Sequence, residues 1–146
     1  MILPTALTTA GAAAIINLWL GIRIGQVRTR EKISVGDGGN EALIRRMRAQ
    51  ANFIESTPIV LIMLALVELA KGPSMWLWIV ASVYLLARIA HAFGMDGVRG
   101  ARMAGTLGTM LVALGLAIAA IAIPHMSAGE VTPVAVDPAM ETVPQG

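Results

Sequence analysis

Residues 46–67 read "RMRAQANFIESTPIVLIMLALV". The first half is polar and charged. The second half, from Ile59 to Val67, has no polar side chain. That run is too short to cross a bilayer alone, because a spanning helix needs ~20 mostly apolar residues. It spans only if the polar half belongs to the same helix. Asn40 followed by Glu41 is a helix-start signal. A helix from Glu41 to about Ala70 would be ~45 Å long at ~1.5 Å per residue. The hydrocarbon core is only ~30 Å thick. The first turns, with Arg48, Asn52 and Glu55, therefore stand at the boundary between lipid and water.

The rest of the chain follows the same logic. It has 146 residues, 56% hydrophobic and 14% charged, against about 25% charged in soluble domains. Three more apolar stretches complete the pattern: "LPTALTTAGAAAIINLWLGI", "GPSMWLWIVASVYLLA" and "MAGTLGTMLVALGLAIAAIAIP". The expected fold is an all-α integral membrane protein, a four-transmembrane-helix bundle with helices near 3–25, 41–70, 73–95 and 98–123. Residues 1–124 form the membrane domain, and 125–146, rich in proline, is expected to be a disordered extracytoplasmic tail. The first stretch reads as a span and not as a cleaved signal peptide, because its positive charges follow the apolar run.

Of the 11 Lys and Arg residues, all but Lys71 lie between stretches one and two or from Arg88 to Arg102. Basic connections stay cytoplasmic, so both termini are expected outside and the polar helix ends inside. With no cysteine, disulfides, thiolate metal sites and a cysteine nucleophile are excluded. His91 and His125 lack metal-ligand partners, so no metal is expected. A net charge of +2 does not suggest a nucleic-acid partner.

Helical spacing gathers the polar residues. Arg48, Asn52 and Glu55 share one face, as do Tyr84, Arg88, His91 and Met95 on the third helix. Pro58 lacks an N–H and leaves the Ile54 carbonyl free beside Glu55. Intramembrane ionisable residues usually have a partner, and Glu55 with Arg88 is the expected pair. Glu68 with Lys71 reads as an interfacial pair, Asn17 as interhelical hydrogen-bond glue, and Trp76 and Trp78 as an aromatic belt. His91 is either a buried structural imidazole or a ligand contact. Small residues on the last helix, Gly105 and Gly108 among them, suit close helix packing.

The stretch "RMRAQANFIESTP", the loop "VGDGGNEAL" and the later "LLARIAHAFG" resemble the signatures of the MAPEG family, the membrane-associated proteins of eicosanoid and glutathione metabolism, in a bacterial-type form. The resemblance covers roughly residues 10–123. It implies that Arg48, Asn52 and Glu55 contact glutathione, that Gln50 matches a contacting glutamine of some members, and that Arg88 matches a helix-three arginine. Arg102 falls where the leukotriene-synthase branch carries the arginine that activates the thiol. Arg28 or Arg30 falls near a basic site at the end of helix one. The resemblance further implies a homotrimer with a site at each subunit interface. Ser56, His91 and Met95 stand where eukaryotic synthases use tyrosines.

These residue types suit that chemistry. Arginine binds carboxylates bidentately, a carboxylate takes the ammonium, and a fixed cation favours the thiolate over the thiol. The implied function is conjugation of glutathione to lipophilic electrophiles at the cytoplasmic face of a bacterial inner membrane, with or without hydroperoxide reduction. Its partners are glutathione as co-substrate, a hydrophobic small molecule, membrane lipids and further copies of the chain. The alternative is a non-catalytic lipid- or amphiphile-binding scaffold of the same fold. A transporter or channel fits less well, because the polar residues cluster at one end.

Overall fold

A computed structural model describes residues 2–127. It contains four helices: α1 (Pro4–Glu31), α2 (Glu41–Lys71), α3 (Met75–Met95) and α4 (Ala101–Ser127). Each is long and apolar enough to cross a membrane. Leu18, Ile62, Ile79, Leu111 and Ile121 are each more than half exposed, as lipid-facing side chains are.

Local chemistry explains the ends. Pro4 sits in the first turn of α1, where a missing N–H costs nothing. α1 runs beyond the boundary expected near 25, to Glu31. "VRTRE" has no breaker, and the helix stops only where Lys32 turns left-handed and donates its N–H to the Arg28 carbonyl. The Asn40 side chain caps α2 by accepting from the Leu43 N–H at 3.0 Å. α2 passes through Pro58, and α4 passes through Pro124, beyond the end expected at 123. The tail expected from 125 thus begins as helix, and its remainder, 128–146, lies outside the described residues.

The helices pack in an order that isolates the site. α2 and α3 each contact all three other helices, whereas α1 and α4 do not touch among the described residues. Val60, Leu64 and Val67 of α2 pack with Leu77, Ala81 and Tyr84 of α3 and with Val112 and Leu116 of α4. A second cluster joins Ala13, Ile16 and Leu20 of α1 to Phe53 and Ala92. α3 and α4 approach closely enough for their backbones to touch. A Cβ on Gly105 would lie 2.5 Å from the Ala87 carbonyl oxygen, and one on Gly94 would lie 2.0 Å from the Arg102 nitrogen. Only glycine permits this at either position.

The two ends of the bundle differ in how charge is held. At the end where α1 begins and α2 stops, Glu68 is buried at 1% exposure. It pairs with no lysine; the expectation of a Glu68–Lys71 pair is corrected. Its carboxylate accepts from the N–H groups of Thr5 at 2.9 Å and Ala6 at 2.8 Å. The first N–H groups of a helix have no intrahelical acceptor, and the positive end of the helix dipole favours an anion there. The opposite, polar end carries the candidate site.

Candidate functional site

Between α2 and the facing ends of α3 and α4 lies an open cavity of about 390 Å³. α2 contributes Ile44, Arg45, Arg48, Ala51, Asn52 and Glu55; α3 contributes His91 and Met95; α4 contributes Arg102. Six residues singled out from the sequence therefore share one space: Arg48, Asn52, Glu55, His91, Met95 and Arg102. The α2 members lie on one face because they are three or four residues apart. Arg45 extends that stripe by one further step, a signal present in the spacing and overlooked.

Arg48, Glu55 and Arg102 form no salt bridge among the described residues, and all three side chains are exposed to the cavity mouth. Arg45 has a loose contact with Glu41 at 3.4 Å. The lining thus offers three guanidiniums against one carboxylate, with the amide of Asn52 between them.

Arg88 stands behind the cavity wall. It is 2% exposed and does not meet Glu55, so the expected Arg88–Glu55 pair is corrected. Its Nη2 donates to Asn52 Oδ1 at 2.9 Å and its Nη1 donates to Thr109 Oγ1 at 3.2 Å. The guanidinium also lies 5.6 Å from the Phe53 ring centre. Asn52 is one turn closer to the chain start than Glu55, and its carbonyl occupies the guanidinium first. Arg88 thereby orients Asn52. His91 is buried, and its Nδ1 has no hydrogen-bond partner among the described residues.

Three residues expected at the site lie elsewhere within this chain. Gln50 faces α1 and donates to Asn17 Oδ1 at 3.3 Å, which also gives Asn17 its expected bridging bond. Arg28 reaches the Ser34 carbonyl and the Met47 sulfur and lines a separate shallow concavity with Lys32. Arg30 pairs with Glu31 at 2.7 Å and borders a third concavity. No tyrosine hydroxyl reaches the cavity. Tyr84 is fully buried, with its hydroxyl 2.8 Å from Thr57 Oγ1. Ser56 bonds back to the carbonyls of Asn52 and Phe53.

Sequence reasoning missed a charged cluster beside the cavity. Asp96, just past α3, pairs with Arg23 of α1 and lies 3.6 Å from Arg46 of α2. Arg46 also donates to the Arg23 carbonyl at 2.7 Å, and the Arg23 guanidinium stacks 4.6 Å from the Trp19 ring centre. Asp96, Arg23 and Arg46 are far apart in sequence, and no periodicity links them.

No group of three or more His, Asp or Glu side chains among the described residues is placed to hold a metal ion. No curated protein matches the chain. The model of the MAPEG family matches residues 6–122, a span that takes in the cavity lining and all four helices but for their outermost residues. With four spanning helices and that match, the chain is an integral membrane protein belonging to the MAPEG family.

Proposed function

We propose that the protein is a glutathione transferase that joins the glutathione sulfur to lipophilic electrophiles at the membrane interface. The observation that carries this reading is the cavity in which Arg48, Arg102 and Glu55 find no ion-pair partner among the described residues and Asn52 is held in place by Arg88. The lining as a whole, with Arg45, Arg48 and Arg102 against Glu55, carries two more positive than negative charges, which suits an anionic ligand that also bears a cation. Glutathione has two carboxylates, one ammonium and a thiol. Its thiolate form carries a net charge of about −2 by ordinary pKa values. The cavity volume of about 390 Å³ falls within the ~300–1,000 Å³ of small-molecule sites.

In this reading Arg48 and Arg45 take the carboxylates, Glu55 the ammonium, and Asn52 the peptide groups. Arg102 faces the sulfur. A free thiol with pKa ~8.5 is mostly protonated at neutral pH. A fixed guanidinium favours the anion, so the thiol proton leaves to water. Arginine keeps its own proton and acts only through its charge. The thiolate then attacks an electrophilic carbon arriving from the bilayer; a C–S bond forms and the leaving group departs with its electron pair. Arg28 and Arg30 would reach a cavity only on a neighbouring copy, which agrees with a homotrimer. The basic connections support a cytoplasmic site in a bacterial inner membrane, with both termini outside.

Calorimetric titration of glutathione into the detergent-purified protein, with the ultraviolet thiolate band as second readout and an aryl halide for turnover, tests the proposal. Saturable binding, a thiolate band and turnover are expected. Absence of binding overturns the glutathione reading.

One observation favours a second reading, a non-catalytic amphiphile-binding member of the family. Tyr84 is committed to Thr57 and Ser56 to its own helix, so among the described residues no hydroxyl donor lines the cavity. Binding of glutathione or an anionic amphiphile without a thiolate band or turnover would select this reading.

A further inference from the structure

The cavity has walls on three helices, and its shape depends on what holds them apart. Arg102 lies in the first turn of α4, and its backbone rests on α3 at Gly94, where even a methyl group would collide with it. Arg102 is therefore referenced to the end of α3. Two residues past Gly94, Asp96 is held by two arginines from the other two helices, Arg23 on α1 and Arg46 on α2. Arg46 is the neighbour of Arg45 and lies two residues before Arg48, both of which line the cavity. A second concavity beside the site shares Arg45 and Met95 with it and has Arg46 and Asp96 in its own lining, so the cluster forms the flank of the cavity wall.

The anchor is stiff. The Arg23 side chain is 9% exposed, stacked 4.6 Å from Trp19 and 6.0 Å from Phe93. Its backbone carbonyl accepts from Arg46 at 2.7 Å. A buried guanidinium left without its counter-charge is costly, so Arg23 keeps Asp96 in place. Asp96 in turn ties the end of α3 to the start of α2.

We infer that Asp96 is a positioning residue, which through Arg23 and Arg46 fixes the separation of the α2 wall from the start of α4 and so sets where Arg102 stands. The effect on ligand rests on the glutathione reading; the separation does not.

The chain has no cysteine, so a spin-label pair introduced by Ala42→Cys and Met103→Cys reports the separation directly. The labelled protein is diluted with unlabelled chain so that only intramolecular distances are read. The parent gives a narrow distance distribution. Asp96→Asn and Arg46→Gln broaden it, and Arg46→Lys, which keeps a cation opposite Asp96, restores it. Where glutathione binds the parent, its Kd rises about tenfold in the two broadened variants, since small displacements of positioning groups carry large penalties. Glu68→Gln at the far end lowers the denaturation temperature and leaves both the distribution and the Kd unchanged. Should Asp96→Asn fail to fold, Arg46→Gln decides. An unchanged distribution in Arg46→Gln overturns the inference. Failure of the parent to bind glutathione overturns the proposed function alone, because the distance measurement is independent of ligand.

Discussion

The two ends of this bundle each hold charged residues close to lipid, yet they use them in opposite ways. At the closed end Glu68 is buried and satisfied by two backbone N–H groups. At the open end Arg48, Arg102 and Glu55 surround a cavity and find no partner among the described residues. A charge with its partners in place stabilises the fold and has nothing left to give a ligand. An unpaired charge at a wet interface contributes little to the fold and is free to bind. The difference separates structural ionisable residues from candidate functional ones better than charge or depth does. Arg88 fits the same rule: it lies beside the site, but its guanidinium is spent on Asn52 and Thr109.

This contrast can be broken in stages. The largest effect is expected from Arg102→Ala. Removing a single stabiliser of developing negative charge costs about 10²–10³ in turnover. The ultraviolet thiolate band should vanish, while thermal denaturation in detergent stays close to the parent. A large loss of stability would instead place Arg102 with the structural group. Glu68→Gln should do the reverse. It exchanges charge-assisted bonds for weaker ones, and hydrogen bonds to charged groups contribute about 1.5–3 kcal/mol. Denaturation should shift by that order, with glutathione titration unaltered; weakened binding would show that the two ends are coupled.

Arg48→Lys keeps the charge but loses the planar fork that matches a carboxylate. Affinity for glutathione should fall about tenfold, equivalent to ~1.4 kcal/mol, read by calorimetry. An unchanged Kd would mean that Arg48 does not grip a carboxylate. The smallest effect belongs to Tyr84→Phe. Thr57 retains its bond to the Phe53 carbonyl at 2.6 Å, so stability should drop by about 1 kcal/mol or less. Binding should be untouched, and a clear loss of binding would bring the phenol back into the site.

Much of this was legible before any coordinates. Four spans, their order and the capped start of α2 at Asn40 follow from hydropathy and local propensity, which act over a few neighbouring residues. The stripe Arg48, Asn52, Glu55 follows from helical period alone. The expectations that failed were pairings. Glu55 with Arg88 was matched by charge and by a shared position near the same end of two helices, and Glu68 with Lys71 by charge and by nearness along the sequence. Arg88 and Glu68 instead bond to groups brought near by helix packing: the Asn52 amide across the α2–α3 contact, and the N–H groups of Thr5 and Ala6 at the start of α1.

The sequence by itself determined that this chain lives in lipid, how many times it crosses, and which polar residues share a helix face. Those properties depend on apolar run length and on a period of about 3.6 residues, both of which are local. Only the tertiary structure decided which charges are satisfied and which are free. That outcome depends on how closely two helices approach, as at Gly94 and Gly105, and on which backbone groups are left exposed at a helix end. Neither is encoded in the spacing of a single helix. The polar stretch before Pro58 was conspicuous from the start, but Asp96, Arg23 and Arg46 became a unit only once three helices were packed together.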